Sequence, residues 1–316
     1  MTADLTGRVL HEKRIIHAAM PLPDEVLRSI SDYVVRVRKE FADQRLLGIG
    51  IATPGFLDPD SGDILLIGRV PGWQNFPIGS RLSMQFGAPT RIANDIDCMA
   101  FAEFQASGVS FDRNLVYVGF DEGVKASLFL NGELYKGALG NAGLIAGNLL
   151  HVEADDLQDK QAVLSIHGIV EIFSSKVNSL PTGEQRAYQP LLAIEDPRER
   201  FETILRSAAA GLPLCHAVVQ LMNQTLAAAI ANLIFIIQPD VFVVGGLLAV
   251  MPADLFADLE ARVRVFLPRL VSHKVMIQLG TRTSPNLAAL GAAHYFLDHL
   301  LIDQEESQLL PYLSRS

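Results

Sequence analysis

Two adjacent polar residues, Asn94 and Asp95, follow a short apolar segment and precede a helix-forming one. An amide beside a carboxylate can donate and accept hydrogen bonds to neighbouring hydroxyl groups of one ligand. The structural alternative is that both side chains cap the helix predicted at 96–107, a role that suits Asn and Asp.

A loop predicted at 68–76 carries two further candidates for ligand contact. Trp73 is the only tryptophan of the chain, and its ring could stack on a ring-shaped ligand or pack at the edge of a domain. Asn75, two residues later, could reach a hydroxyl group of the same ligand. The sequence leaves the binding and packing alternatives open.

Acidic residues and glycines mark two other turns. Asp121 and Glu122 could act as acid and base or bind a cation, but a solvated turn is favoured because the sequence offers them no evident partner. Gly245 and Gly246 could let a ligand approach the backbone closely, or they form a strand-to-helix turn. His151 is a lone histidine, for which a surface or packing role is favoured over ligand binding.

The segments that must position these residues alternate between strand and helix, which predicts an α/β fold with parallel strands. Apolar runs that end at turn residues predict strands at 46–52, 90–93, 115–118, 126–130, 241–246 and 275–279. Helical spacing of apolar residues predicts helices at 24–41, with Asp24 as its cap, and at 78–86, 96–107, 197–210, 213–237, 252–267 and 286–301. The stretch from 152 up to the 197–210 helix is polar and weakly periodic.

The composition is that of a globular protein, with 49% hydrophobic and 19% charged residues in a chain of 316. A net charge of −9 offers no broad basic surface, which argues against non-specific nucleic-acid binding. Two cysteines, Cys98 and Cys215, lack CxxC spacing and indicate a reducing, cytoplasmic compartment. The N-terminal segment does not resemble a signal peptide, and the apolar stretch 226–237 is too short to span a bilayer.

Five segments in chain order are similar to motifs of the ROK family, which comprises sugar kinases and sugar-responsive repressors. They are a strand with a Pro-Gly turn (48–55), an ENDANAAALAE-like segment (92–103), an NGxLYxG…AG run (130–143), an nPexvviGG segment (238–246) and a late GAA (291–293). The resemblance covers nearly the whole chain. It implies the two-lobed ribonuclease-H-like α/β fold of actin and the hexokinases, with sugar and ATP in the cleft between the lobes.

The resemblance also implies a division of the chain. Residues 1–93 would form a smaller N-terminal α/β lobe, residues 94–285 a larger C-terminal α/β lobe, and the helix in 286–316 would pack back on the N-terminal lobe. The family's kinases open with a DxGGTK strand and turn whose amides hold ATP phosphates. This sequence has no such segment, so the fold is expected to lack the first strand and the first phosphate loop.

Three departures from the family's kinases bear on activity. The second phosphate loop, usually GTGIGxG, is replaced by 120–126, which puts the carboxylates of Asp121 and Glu122 where a phosphate would approach. The sugar-binding AGEIGH becomes AGLIAG at 142–147, which loses a Glu and a His and makes the wall at Leu144 apolar. The CxCGxxGCxE zinc segment is absent, so no zinc is expected.

These features predict the sugar-sensing and oligomerisation module of a ROK transcriptional regulator without kinase activity. Asn94, Asp95, Asn75 and Trp73 are its expected ligand contacts, and no cofactor or metal is expected. DNA would be bound only through an upstream segment that this sequence does not contain, and no membrane role is expected. Self-association is expected from the resemblance alone.

Two alternatives stay open. One is an ATP-dependent hexose or amino-sugar kinase, in which Asp95 is the base, Mg-ATP is the cofactor, and Gly245 and Gly246 contact the adenosine. The other is a degenerate scaffold whose cleft binds no sugar.

Overall fold

The structure, a computed structural model, describes residues 1–17, 21–58, 61–68, 70–108, 110, 113–121, 123–145, 164–281 and 286–313, with side chains up to residue 300. The chain divides into two compact units, each built from separate stretches of sequence. Unit 1 comprises Met1–Val109, Lys136–Asn141 and Thr283–Ser316, and unit 2 comprises Ser110–Tyr135 and Ala142–Arg282.

Strands and helices are numbered along the chain. The strands are β1 (Thr2–Ala3), β2 (Val9–His11), β3 (Ile49–Thr53), β4 (Phe56–Leu57), β5 (Ile64–Leu66), β6 (Gln74–Phe76), β7 (Thr90–Asn94), β8 (Leu115–Phe120), β9 (Val124–Leu130), β10 (Glu133–Leu134), β11 (Val241–Gly246) and β12 (Met276–Leu279). The α-helices are α1 (Pro23–Glu40), α2 (Ile78–Phe86), α3 (Asp95–Ser107), α4 (Ile166–Asn178), α5 (Thr182–Gln185), α6 (Gln189–Leu192), α7 (Pro197–Ala209), α8 (Pro213–Ile237), α9 (Ala253–Phe266), α10 (Arg269–Ser272) and α11 (Leu287–Leu313).

In unit 1, the parallel strands β3 and β7 pair along their length and end together, with Thr53 opposite Asn94. Separate antiparallel groups are formed by β1 with β2 and by β4, β5 and β6. Helix α11 packs on α3, β3 and β7. A Cβ atom on Gly291 of α11 would lie 1.7 Å from the Cys98 carbonyl oxygen, so only glycine permits this approach of the two helices.

A small hydrophobic core joins β4, β5, β6, α2 and β7 in unit 1. It consists of Leu57, Ile64, Trp73, Phe76, Ile78, Leu82 and Ile92. Partly buried apolar residues of α1 pack against it at helical spacing, namely Val26, Leu27 and Ile30. The apolar periodicity of α1 therefore buries one side of this helix against the core.

The five strands of unit 2 form one sheet in the order β10-β9-β8-β11-β12. Strands β8, β9 and β10 are an antiparallel meander, and β11 and β12 are added parallel to β8 on its other side. Parallel neighbours need long crossover connections, which α4 to α8 and then α9 supply. These helices pack the main hydrophobic core against one side of the sheet.

Helix α8 is the element of the described chain that is long and apolar enough to cross a membrane by length and composition alone. It has 25 residues, and the mean hydropathy of its most apolar window is 1.5, with half of that window buried inside the chain. Val218, Met222, Leu226 and Ile230 are fully buried in the core of unit 2. A buried helix in the core of a globular protein has the same length and apolar composition.

Several predicted elements coincide with observed ones. The helix predictions 78–86 and 213–237 match α2 and α8. The strand predicted at 46–52 is observed as β3, which begins three residues later and spans Ile49–Thr53. The polar stretch before α7 contains α4, which the sequence did not predict. Ser165 caps α4 by accepting a hydrogen bond from the Gly168 amide at 3.1 Å.

The prediction that Asp24 caps the first helix is wrong. Helix α1 begins at Pro23, whose fixed φ suits the first helical position, and its N-cap is Leu22. The Glu25 side chain accepts a hydrogen bond from the Leu22 amide at 3.1 Å, which satisfies that amide in place of a capping aspartate.

The division of the chain differs from the boundary expected at residue 93. Residues 94–109 belong to unit 1, because α3 packs on α11 and on β7. Residues 136–141 belong there as well, and Lys136 donates a hydrogen bond to the Tyr295 hydroxyl of α11 at 2.7 Å.

Candidate ligand-binding site

The carboxyl ends of β3 and β7 lie side by side in unit 1 and present Asn94 and Asp95. Ligand sites of α/β proteins commonly lie outside the carboxyl ends of parallel strands. Asn94 is buried, whereas Asp95, the first residue of α3, is partly exposed. The sequence-predicted pair therefore lies at an edge where a small molecule can approach.

Asn94 is the N-cap of α3. Its Oδ1 accepts a hydrogen bond from the Ile96 amide at 3.0 Å, and Oδ1 of Asp95 lies 2.9 Å from the same amide. The Asn94 Nδ2 lies 3.5 Å from the Gly55 carbonyl oxygen in the turn after β3. The capping alternative is thus realised, and it fixes both side chains, of which that of Asp95 belongs to a partly exposed residue.

The Asn141 side chain joins a loop of unit 1 to β4 through hydrogen bonds. The sequence alone assigned this residue no role. Its Oδ1 accepts a hydrogen bond from the Leu57 amide at 3.2 Å, and its Nδ2 donates to the Leu57 carbonyl at 3.2 Å. The same Nδ2 donates to the Leu139 carbonyl at 2.7 Å. Loop 136–141 is thereby held beside the strand that follows the Gly55 turn.

The ligand-stacking role expected for Trp73 is wrong. Its side chain is 6% exposed, Nε1 donates to the Pro21 carbonyl at 3.0 Å, and its ring meets the Phe76 ring edge-on at 5.7 Å. A ring buried in the core of unit 1 cannot stack on a sugar, so the packing alternative holds. Asn75 is exposed, with a left-handed φ of 48° that Asn tolerates better than most residues.

Residues 120–126, expected from the resemblance to correspond to the second phosphate loop, include the connection between the antiparallel strands β8 and β9 in unit 2. The Asp121 amide donates to the Gly123 carbonyl at 2.9 Å. The Asp121 carboxylate, 18% exposed, forms an ion pair with Arg198 of α7 at 2.8 Å. The sequence offered no evident partner for Asp121 because Arg198 is far away along the chain, and Glu122 lies outside the described residues.

A cavity of about 190 Å³ adjoins this ion pair. It is lined by Ile166, His167, Asp196, Pro197 and Arg198. Asp196 caps α7 by accepting a hydrogen bond from the Arg198 amide at 2.9 Å. The arginine of the lining is paired with Asp121, so its charge is already compensated within unit 2.

Gly245 and Gly246 end β11, and two residues of β8 restrict them: Tyr117 lies against Gly245, and the Phe120 backbone lies against Gly246. A Cβ atom on Gly245 would lie 2.2 Å from the Tyr117 ring, and the Gly246 amide donates to the Tyr117 hydroxyl at 2.9 Å. Gly246 has a φ of 65°, which favours glycine. The turn alternative therefore explains this pair, and the Gly246 amide is engaged inside unit 2.

The start of the AGLIAG segment packs on β9. A Cβ atom on Gly143 would lie 1.8 Å from the Ala126 carbonyl oxygen, and the Gly143 carbonyl accepts a hydrogen bond from the Ala126 amide at 2.7 Å. Leu144 is exposed, in the position where the family's kinases carry a glutamate. Residues 146–147 and His151 lie outside the described residues.

Within the described ranges, no three His, Cys, Asp or Glu side chains lie close enough together to hold a metal ion. Cys98 and Cys215 are thiols, and both are fully buried. Burial raises the pKa of the Cys215 thiol to about 11, so this thiol is protonated at neutral pH.

Known protein families provide an independent comparison. The family model described as "ROK family" matches residues 1–299. The chain belongs to the ROK family. The xylose repressor of Caldicellulosiruptor bescii is 24% identical over 257 residues, which cover 77% of this chain and 61% of that repressor. A repressor is therefore among the proteins whose sequences resemble this chain.

Two solved ROK structures match the fold. A ROK-family transcriptional regulator, a homologue of the Escherichia coli MLC protein, gives a TM-score of 0.77 at 22% identity, covering 95% of this chain and 76% of that one. A ROK glucokinase from Streptomyces griseus, solved with glucose and AMPPNP, gives 0.70 at 18% identity, covering 92% and 93%. The expected actin- and hexokinase-like fold is confirmed, and regulators and kinases share it.

The chain spans 61% of the length of the xylose repressor. The activity and partners of that longer protein are therefore matters of proposal for this chain.

Proposed function

We propose that this ROK chain is the sugar-sensing part of a transcriptional regulator and that it does not phosphorylate its ligand. The observation that carries the proposal is the Asp121–Arg198 ion pair, 2.8 Å long, in the hairpin that replaces a phosphate loop. Phosphoryl transfer depends on holding and neutralising phosphate charge. A largely buried carboxylate repels phosphate oxygens, and it already engages the arginine that could offset its charge.

The ligand side of the proposal rests on unit 1. Asn94, Asp95 and Asn75 are its proposed contacts with a sugar or sugar derivative. The Asp95 carboxylate is held by the Ile96 amide of α3 at the strand end, and Asn94 ties that end to the Gly55 turn. Fixed amide and carboxylate groups lose little conformational entropy when they bind hydroxyl groups.

DNA binding is proposed to reside outside these 316 residues. A net charge of −9 disfavours non-specific attraction to a phosphate backbone. The related repressor is longer than this chain, which leaves room for a separate DNA-binding segment in such a protein. Neither a nucleotide nor zinc takes part in the proposed function, and its proposed location is the cytoplasm.

A sugar kinase is the second candidate. The partly exposed Asp95 carboxylate is suitably placed for a base, and the fold is shared with a solved ROK glucokinase. In that function Mg-ATP would have to bind despite the Asp121–Arg198 pair and the engaged Gly246 amide. Binding of Mg-ATP therefore separates the two candidates.

The test is thermal unfolding of the chain with D-xylose, D-glucose and N-acetyl-D-glucosamine, each with and without Mg-ATP. A ligand at a hundred times its dissociation constant stabilises the folded state by about 2.7 kcal/mol, which is easily measured. A shift with one sugar and none with Mg-ATP supports the sensor. A shift with Mg-ATP together with formation of a sugar phosphate establishes the kinase, and no shift at all favours a scaffold.

Substitution of Asp95 tests the site itself. Asp95→Ala is expected to weaken sugar binding by about tenfold or more, because a charge-assisted hydrogen bond to a hydroxyl is worth roughly 1.5–3 kcal/mol. The variant is expected to fold, with its free energy of unfolding lowered by about 1 kcal/mol, because the Ile96 amide loses one of its acceptors at the start of α3. Asp254→Ala removes an exposed carboxylate from the first turn of α9 and serves as the control. Unchanged sugar affinity in Asp95→Ala would remove Asp95 from the site.

A further inference from the structure

The segment of unit 2 from the end of α9 to the start of β12 exposes several large apolar side chains. Val265 is 83% exposed, Leu270 73%, Met276 55% and Phe266 51%. Single exposed apolar residues are common on protein surfaces, whereas a group of them marks an interaction site. We call this group the 265–276 surface.

The backbone beneath the 265–276 surface is fixed to unit 2. Leu267 and Val275 are buried in the main hydrophobic core. Arg264 of α9 donates a hydrogen bond to the Ser272 carbonyl, which holds the end of α10 beside the last turn of α9. A partner that binds here therefore does not have to order the segment first, and this lowers the entropic cost of binding.

The same surface carries two positive charges. Arg269 lies on α10 and Lys274 in the turn that follows it, and both are exposed. No aspartate or glutamate occurs in the sequence between Glu260 and Asp298. Among the residues that the structure describes, neither Arg269 nor Lys274 pairs with a carboxylate. Both cations are therefore available to a partner.

The neighbouring charges leave the 265–276 surface positive. Two ion pairs of α9 are internally neutral, namely Asp258 with Arg262 at 2.9 Å and Glu260 with Arg264 at 2.6 Å. Asp240 lies beside β12, because its carbonyl accepts a hydrogen bond from the Met276 amide at 3.1 Å. Its carboxylate accepts a hydrogen bond from the Asn114 amide at 3.0 Å. One engaged carboxylate thus stands against the two cations.

We propose that the 265–276 surface binds a partner protein through a segment in which acidic side chains flank apolar ones. Apolar side chains together with arginine are typical of the centre of protein interfaces. The whole chain carries a net charge of −9, so it repels an acidic segment in general. The positive 265–276 surface attracts such a segment locally, which directs it to this place.

Other classes of partner fit these residues less well. A second copy of the chain would bring the same cations close together about a twofold axis. Duplex DNA binds through many phosphate contacts and gains nothing from the exposed Leu270 and Phe266 side chains. Membrane surfaces are bound by amphipathic helices of several turns, whereas α10 has four residues.

Fluorescence anisotropy with labelled synthetic peptides tests the proposal on the full chain. The acidic probe is a peptide of about 15 residues in which leucine and phenylalanine are flanked by glutamate and aspartate. The comparison probe has lysine in place of every acidic residue. The acidic peptide is expected to bind about tenfold or more tightly than the lysine peptide, and its affinity is expected to fall as salt is added.

Variants of the surface locate the contact. The double variant Arg269→Glu with Lys274→Glu is expected to weaken binding of the acidic peptide about tenfold or more. Leu270→Ser is expected to weaken it without lowering the melting temperature, because Leu270 is largely exposed. The matched control is Arg36→Glu with Lys39→Glu, which makes the same change of charge at exposed positions of α1 in unit 1.

The outcomes are distinct. Weaker binding by the double variant and by Leu270→Ser, with unchanged binding by the α1 control, supports the proposal. It is overturned if the acidic peptide does not bind at millimolar concentration, or if all variants bind it equally. Phosphatidylserine vesicles and duplex DNA are measured in parallel. Binding of either one that depends on Arg269 and Lys274, and is tighter than that of the acidic peptide, would assign the surface to that partner instead. None of these outcomes depends on whether the chain binds a sugar.

Discussion

At the scale of single residues, the atoms of a neighbouring element decide which side chain fits. Gly245 has no Cβ because the Tyr117 ring lies there, and Gly143 lacks one because the Ala126 carbonyl does. Such contacts explain glycines that a motif comparison would assign to ligand binding. For Gly245 the Tyr117 ring is a sufficient cause, and for Gly246 the Phe120 carbonyl oxygen, 2.5 Å from the position of a Cβ atom, is another.

Gly291→Ala is expected to lower the free energy of unfolding by about 3 kcal/mol, because the new methyl group would meet a rigid backbone carbonyl and force α11 away from α3. Urea denaturation measures the effect. Gly183→Ala, whose Cβ would meet nothing within 4 Å, is the control and is expected to change stability by less than about 1 kcal/mol. Equal stability of wild type and Gly291→Ala would contradict the close packing of α3 and α11.

Both cysteines are expected to resist thiol reagents in the folded protein. Cys98 and Cys215 are fully buried, and burial raises the pKa of Cys215 to about 11, so little reactive thiolate forms at pH 8. Titration with a chromogenic disulfide at pH 8 should detect almost no thiol in the native chain and two per chain in denaturant. Rapid labelling of the native chain would show that unit 1 or unit 2 opens readily.

At the scale of elements, the sequence predicts what short-range chemistry determines. Asn131-Gly132 predicts a hairpin turn, and both residues have positive φ, 54° and 87°, in the turn between β9 and β10. The apolar residues of 213–237 likewise predict a helix, and α8 spans Pro213–Ile237. In both cases the information lies within a few residues of the element itself.

Long-range partners could not be predicted from the same patterns. For Trp73 the sequence leaves both a stacking ring and a packed ring open, and the contacts with Pro21 and Phe76 show the packed one. The ion pair between Asp121 and Arg198 joins residues from separate elements. So does the hydrogen bond from the Leu57 amide to Asn141. Only the fold brings these pairs together, so composition and spacing contain no signal for them.

The packing of α11 gives unit 1 a dependence on pH. The His294 ring lies over Gly7, where a Cβ atom would come within 2.5 Å of its Cε1, and burial lowers the His294 pKa. The unfolded chain therefore binds a proton near pH 6.5 that the folded chain does not. The stability that neutral His294 contributes is present above pH 6.5 and is lost as the pH falls below that value.

His294→Gln is expected to reduce the loss of stability between pH 7 and pH 5. Denaturant titrations of wild type and variant at both pH values measure the difference. His273→Gln is the control, since His273 is exposed after α10 and belongs to unit 2. An acid-induced loss of the same size in wild type and His294→Gln would mean that other groups cause it.

At the scale of the whole molecule, unit 1 is assembled from the two ends of the described chain. Its strands β3 and β7 and its helix α3 all pack against α11, which begins at Leu287. Tyr295 and Phe296 of α11 are buried in this contact. Unit 1 therefore depends on residues that follow the whole of unit 2 in sequence.

A chain that ends at residue 282 is expected to lose the protease resistance of unit 1, because the surfaces of β3, β7 and α3 that α11 covers become exposed. Limited proteolysis with mass spectrometry would detect cleavage within residues 1–109. A chain that ends at residue 300 keeps Gly291, Tyr295 and Phe296 and is the control, with cleavage expected as in the wild type. Equal resistance of both truncated chains would argue against the dependence on α11.

The place of α11 in the sequence also sets an order of events during synthesis. Domains commonly fold as they leave the ribosome, the N-terminal one first. Here every residue of unit 2 emerges before Thr283. Unit 1 cannot be completed until α11 has been synthesised, and until then the surfaces of α3, β3 and β7 that α11 covers stay exposed. The part of the protein that is translated first is thus the last to be completed, and for that interval it is a natural substrate for chaperones.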